Sequence, residues 1–313
     1  MRGVRARRVL AGVCGVLLVL PVAACGRQGA HPAGDPPASA SPRPGTSASS
    51  ASAPTTERLR ALERTYGARL GVYALDTGDG RVVAHREGER FAYASTFKAF
   101  VAGAVLRRHG VAALERVVRY GEKDLLPNSP VSERHVATGM TLAELCDAAV
   151  RHSDNTAANL LLDEVGGPKG LEGVLRSVGD TETVMERREP ELNRWEPGRV
   201  GDTTTPRAFA GALRAFVLGD ALREPERARL TTWLRTNLTG NDVIRAGVPK
   251  GWTVGDKTGT GGRYGIRNDI AVLWPPGRAP IVLAVLTDRP GRADEPDDRL
   301  LADAAAAVVA DLS

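Results

Sequence analysis

Strand patterns stand at opposite ends of this chain, with a long run of helical patterns between them. Near the start, residues 69–88 (RLGVYALDTGDGRVVAHREG) read as two strands joined around Thr77-Gly78-Asp79-Gly80, a hairpin signal. Near the end, GWTVGDKTGT, RNDIAVLWP and PIVLAVLTD are rich in β-branched and apolar residues and bounded by Gly and Pro. A sheet fed from both termini must carry whatever lies between as an insertion. The expected class is therefore α+β: a mostly antiparallel sheet with flanking helices from residues 57–92 and 238–313, and an inserted all-helical domain over 93–237. A cleft between the two is the default site.

Within the insertion, STFKAFVAGAVLRRHG puts Phe97, Phe100, Val101, Ala104 and Val105 on one helical face, with Ser95 near the N-cap position and Gly110 at the stop. Further helices are expected over 141–151, 155–165, 169–178, 206–218 and 225–237, after an opening helix over 56–66. A final helix over 296–312 closes the chain.

The first 56 residues do not read as part of the folded domain. Arg2, Arg5, Arg7 and Arg8 precede an apolar run, residues 9–22, too short and too near the start for an ordinary membrane span, so residues 1–25 read as an export signal. Its end, Val22-Ala23-Ala24-Cys25, resembles a lipobox, which implies lipidation of Cys25 and a protein anchored to the outer face of the cell membrane. Ordinary cleavage at an Ala-x-Ala-like site would instead leave it secreted or periplasmic. Arg7-Arg8 leaves the choice between general and twin-arginine export open. Residues 26–56, rich in Ser, Ala and Pro with few large apolar side chains, read as a disordered tether.

Losing the four arginines of the signal lowers the formal charge from +5 to +1, so no basic stripe remains to bind nucleic acid. Of three cysteines, Cys14 lies in the signal and Cys25 is the lipid site. Cys146, at apolar helical spacing, reads as a buried thiol. His31, His85, His109, His135 and His152 show no ligand spacing, so neither a metal nor another cofactor is expected.

Five of the 42 basic residues are lysines, and two of these lie in suggestive places. Ser95 and Lys98, three apart at a helix start, share a face, and a lysine with a pKa lowered by burial can take a serine proton. Lys257, in Gly255-Asp256-Lys257-Thr258-Gly259-Thr260, ends an apolar strand whose small residues let a substrate lie along its edge. Ser153-Asp154-Asn155 stands between two helices; Ser153 and Asp154 can cap the second, and the Asn155 amide can hold a substrate amide. Arg188-Glu189-Pro190-Glu191-Leu192-Asn193 adds two carboxylates in a polar run without a period.

Together Ser-x-x-Lys, Ser-Asp-Asn and Lys-Thr-Gly, their first members 58 and then 104 positions apart, resemble the serine penicillin-recognising enzymes. Glu189-Pro190-Glu191-Leu192-Asn193 matches the Glu-x-x-Leu-Asn loop of class A β-lactamases. The resemblance, covering residue 57 to the C-terminus, implies hydrolysis of the β-lactam amide of penicillins and cephalosporins through a serine acyl-enzyme, and hence β-lactam resistance. It implies Ser95 as nucleophile, Lys98 as base or proton relay, Ser153 as proton donor to the β-lactam nitrogen, and Glu189 as the deacylating base, with Asn193 helping to hold the water. It further implies Asn155, Lys257, Thr258, Gly259 and Thr260 as substrate contacts, with the backbone N–H groups of Ser95 and Thr260 as oxyanion hole. Arg267 is the candidate second contact to the substrate carboxylate and Arg245 the fallback. Arg187 and Asp202 resemble the ion pair that closes this loop, and Glu189-Pro190 stands where the family has a cis bond. The partner implied is a small β-lactam and the expected state a monomer. A D-Ala-D-Ala carboxypeptidase and a non-hydrolysing β-lactam sensor are the rival readings, and the Glu189 loop argues against both.

Overall fold

The computed structural model describes residues 53–313, so the export segment, Cys25 and most of the tether lie outside the described residues. In chain order the helices are α1 (Ala53–Tyr66), α2 (Lys98–His109), α3 (Leu142–Arg151), α4 (Asn155–Glu164), α5 (Gly167–Ser177), α6 (Pro206–Val217), α7 (Glu224–Arg235), α8 (Ile244–Gly247) and α9 (Asp298–Leu312). The strands are β1 (Arg69–Asp76), β2 (Val82–His85), β3 (Phe91–Ala92), β4 (Val117–Val118), β5 (Met140–Thr141), β6 (Thr203–Thr204), β7 (Thr253–Thr260), β8 (Arg267–Trp274) and β9 (Ile281–Asp288).

Five strands form one antiparallel sheet in the order β2-β1-β9-β8-β7, built from both chain ends as its sequence pattern requires. All eight residues of the central β9 are buried, because helices cover both faces and polar alternation would place charge in a core. Along β8 the side chains divide by the strand period. Ile270 and Val272 join one core with Phe97, Phe100, Leu161 and Phe209, while Ala271 and Leu273 join the other with Leu59, Leu301 and Val308. The first core ties the sheet to the helices of the central segment, and the second ties it to α1 and α9. This leaves β7 as an edge strand, one side of which is free to wall a cleft.

Local chemistry sets the element ends. Thr141 accepts from the Glu144 N–H (3.1 Å) while the Glu144 carboxylate accepts from the Thr141 N–H (2.7 Å), a reciprocal cap that starts α3. Two expectations are corrected. Residues 53–56, assigned to the tether, are helical: Pro54 sits in the first turn of α1, where its missing N–H removes no bond, and Thr55 is buried. The segment over 93–237 is not all-helical, since β4 pairs with β5 and β6 pairs with β3. Two-residue strands are too short to carry a period, so nothing in the local pattern announces them.

Candidate active site

Ser95 does not cap a helix. It sits in a 3-10 turn, Ala94–Phe97, and α2 begins only at Lys98 with no side-chain cap. Ala94 has φ +46°, a left-handed conformation costing a non-glycine residue on the order of 1 kcal/mol or more, and the turn is held by Thr96, whose N–H and hydroxyl both donate to the Tyr93 carbonyl. β7 lies directly against this turn. A Cβ on Gly259 would stand 2.9 Å from the Tyr93 carbonyl and 3.1 Å from the Ser95 nitrogen, so only glycine permits this close approach of β7 to the turn that carries Ser95.

The Ser95 hydroxyl donates to Glu189 Oε1 at 2.9 Å, and the same oxygen lies 3.0 Å from Lys98 Nζ. Both charged side chains are fully buried. Lys98 also donates to Asn155 Oδ1 (2.6 Å) and to the Ser153 carbonyl (2.8 Å). Burial holds the Lys98 pKa below the usual lysine value, with the Glu189 carboxylate opposing that fall. Glu189 Oε2 accepts from Asn193 Nδ2 at 2.6 Å. The Glu189-Pro190 bond is cis, and Glu191, in the turn that follows, is exposed and paired with Arg194 at 2.9 Å. The two carboxylates of the loop thus face opposite environments.

Ser153-Asp154-Asn155 divides its work. Asp154 is the buried cap of α4, accepting from the Ala157 N–H and from the Ser132 hydroxyl and N–H. That frees Ser153, at φ +57°, to present its hydroxyl to Lys257 Nζ at 3.1 Å. Asn155 donates to the Pro127 carbonyl as well as accepting from Lys98, which fixes its amide orientation. Burial, and then the Lys98 ammonium, push the Lys257 pKa down to about 7 against the pull of Asp256 and Asp269.

These groups open into a cleft of about 480 Å³ lined by Ser95, Asn155, Asn193, Thr258, Gly259, Thr260 and Arg267, with Asn128 at its rim. Arg267 donates to the Thr260 hydroxyl (2.9 Å) and pairs with Asp298 (2.5 Å), so its guanidinium stands at the cleft wall. Arg245 is committed elsewhere, to Asp256 and to the carbonyls of Leu234 and Arg235. A larger groove of about 960 Å³ lies between α6 and the β1–β9 face, and it contains none of these residues. Cys146 is buried, which pushes its thiol pKa up and leaves it inert as a nucleophile. Among the described residues no cluster of three His, Cys, Asp or Glu side chains could hold a metal ion.

Asn159 is the residue that pattern reading left without a role. Its amide donates to the Glu189 carbonyl (2.8 Å) and its Oδ1 accepts from the Glu189 N–H (3.1 Å), a two-point bracket on the backbone that carries the carboxylate. The available signal was a polar side chain one turn after Asn155, between Ala157-Ala158 and Leu160-Leu161-Leu162. At the ends of the loop, Arg187 Nε donates to the buried Asp202 at 2.5 Å, and Asp202 also accepts from Tyr93 and from the N–H groups of Glu186 and Arg187. Arg187→Ser is expected to cost about 1–3 kcal/mol, because the remaining donors still solvate Asp202, and to speed amide exchange across 187–202. Unchanged exchange in that segment would show that the ion pair does not hold the loop.

The chain matches the model of the Beta-lactamase enzyme family over residues 54–312. It is 59% identical over 266 residues to a beta-lactamase of Amycolatopsis lactamdurans, covering 85% of this chain and 88% of that one. It is 48% identical over 320 residues to beta-lactamase 1 of Streptomyces cacaoi, covering 97% of each. The crystal structure of a class A beta-lactamase from Clostridium kluyveri superposes with a TM-score of 0.81 at 46% identity, covering 82% of this chain and 98% of that one. With a buried serine–lysine–glutamate group walled by a strand edge, and with relatives this similar over nearly their whole length, the chain belongs to the beta-lactamase enzyme family as a class A β-lactamase and hydrolyses β-lactams.

Proposed function

We propose that the hydrolysis of penicillins and cephalosporins runs through an acyl-enzyme on Ser95 with the roles below. The observation that carries the reading is the single carboxylate oxygen of Glu189 within reach of both the Ser95 hydroxyl (2.9 Å) and the Lys98 ammonium (3.0 Å). Ser95 Oγ attacks the β-lactam carbonyl while its proton passes to Glu189, with Lys98 as relay. The oxyanion is held by the N–H groups of Ser95 and Thr260. Ser153, beside Lys257, donates its proton to the ring nitrogen as the C–N bond breaks and is reprotonated by the proton Glu189 took from Ser95, passed back through Lys98, which leaves Glu189 a carboxylate for the second half. Asn155 holds the substrate's side-chain amide; Lys257, Thr258 and Arg267 meet its carboxylate, and Gly259 keeps the strand edge open to it. In the second half Glu189 takes a proton from water held with Asn193, the hydroxide attacks the ester, and Ser95 leaves with the proton returned to it.

The test is hydrolysis of a chromogenic cephalosporin by the purified protein. Steady turnover without accumulation of a mass-shifted protein is expected, whereas stable acylation would make it a target or sensor. The protein acts outside the cytoplasmic membrane as a monomer, tethered by lipid on Cys25; membrane fractionation of Cys25→Ser, with release as the expected result, tests the anchor.

Lys257 binds a carboxylate only as an ammonium. Its protonated form is lost as pH rises through a value well below the ordinary 10.5, so kcat/KM is expected to fall on the alkaline side, chiefly through KM. Lys257→Arg keeps the charge at every accessible pH and should move that limb upward by about one unit or more. An alkaline limb at the same pH in both proteins would assign it to another group.

A further inference from the structure

The catalytic loop is fastened on its far side by residues that none of the roles above uses. Past Asn193 the chain turns inward, and the Trp195 ring lies edge-to-face on Tyr264 with centroids 5.9 Å apart and planes at 81°. These two, with Ala92, Ala94 and Ile266, form a small apolar cluster separate from both main cores. Next to it the Tyr264 hydroxyl donates to Glu196 Oε2, and Arg263 Nη1 donates to Glu196 Oε1 at 2.5 Å. Tyr264 is itself held from behind, its N–H donating to the Arg292 carbonyl and its carbonyl accepting from the Arg289 N–H.

The geometry points to Tyr264 and Glu196 as positioning residues that set the width of the cleft between the catalytic loop and the β7–β8 turn, and so determine which substrate side chains are admitted. Three pieces of the site converge on the clasp: Ala94 precedes the nucleophile, Trp195 and Glu196 follow Asn193, and Tyr264 lies between Thr260 and Arg267. At the wall they close, a Cβ on Gly262 would reach ordinary van der Waals distance, 3.8 Å, from the Asn193 carbonyl, so the gap between loop and turn is about one methyl group wide. The other half of the loop is tied to α4 through Asn159 and through the Arg188–Asp163 pair, while the Asn193 side is held by the clasp and by Arg187 Nη1, which donates to the Arg194 carbonyl at 3.2 Å. A substrate whose carbonyl lies at Ser95 and whose carboxylate lies at Lys257 and Arg267 extends its acyl side chain toward Asn155 and Asn193. A slender side chain fits beneath this wall; a branched one must part it.

The inference rests on the residue roles proposed above, and its test has one readout independent of them. Tyr264→Phe keeps the ring and removes the hydrogen bond, Glu196→Ala removes the contacts with Tyr264, Arg263 and Arg292, and Glu196→Gln keeps an acceptor for Tyr264. In substrate-free protein, amide exchange across 193–199 is expected to quicken in the first two and to stay near wild type in the third; unchanged exchange in the first two overturns the clasp. In kinetics, the ratio of kcat/KM for a cephalosporin with a branched oxyimino side chain to that for benzylpenicillin should rise about fivefold in the first two, the worth of one net hydrogen bond. Arg278→Ala, which breaks a remote ion pair with Asp76, controls for general destabilisation. A ratio that stays fixed in Tyr264→Phe and Glu196→Ala, or that moves equally in Arg278→Ala, overturns the specificity role.

Discussion

Glu189→Gln is expected to stop the reaction half-way. The amide can still accept from Ser95 and Lys98, so the site keeps its packing, but it cannot take a proton from water. Deacylation should fall by about 10²–10⁴-fold, the range a well-placed general base contributes. Acylation should suffer less. Without the Glu189 charge, nothing as close opposes the effect of burial on Lys98, whose pKa then falls further toward the neutral amine that can act as a base. The expected record is a burst of one equivalent of product, then near silence, with intact-mass analysis showing protein plus β-lactam. A Glu189→Gln protein that turns over at the wild-type rate would remove Glu189 from the deacylation step.

Ser95→Ala should abolish both halves, lowering kcat by about 10⁶-fold, as expected when a nucleophile that works as a unit with its base is removed. No mass shift should appear with any β-lactam, which separates this variant from Glu189→Gln. Binding should survive, since Asn155, Lys257 and Arg267 are untouched, and a penicillin is expected to protect the variant against thermal unfolding. Covalent labelling of Ser95→Ala by a β-lactam would place the nucleophile elsewhere.

Much of the fold and of this site is legible in the sequence. The hairpin around Thr77–Gly80, the apolar runs of β8 and β9 and the face of α2 are short-range patterns, and each became the expected element. Burial then followed from the period. Harder to read were features whose cause lies across the fold. Ser95 looked like a cap because serine before a helix usually is one. Its turn is instead held in place by Tyr93, Thr96 and the close approach of Gly259, 164 positions further along the chain. Asn159 and Tyr264 carried no motif, and their roles come from the partners that meet them.

The sequence by itself determined the class of the fold and singled out the residues proposed to react, because strand and helix periods, caps and motif spacing are written in residues close along the chain. The motif resemblance singles out Glu189 of the two carboxylates in one short loop, and only the tertiary structure supplies the physical difference between them. Glu191 faces solvent beside Arg194, where water screens its charge. Glu189 meets a serine 94 positions away inside a pocket with a buried lysine. A carboxylate's basicity and reach depend on what surrounds it, and those surroundings exist only once the chain has folded.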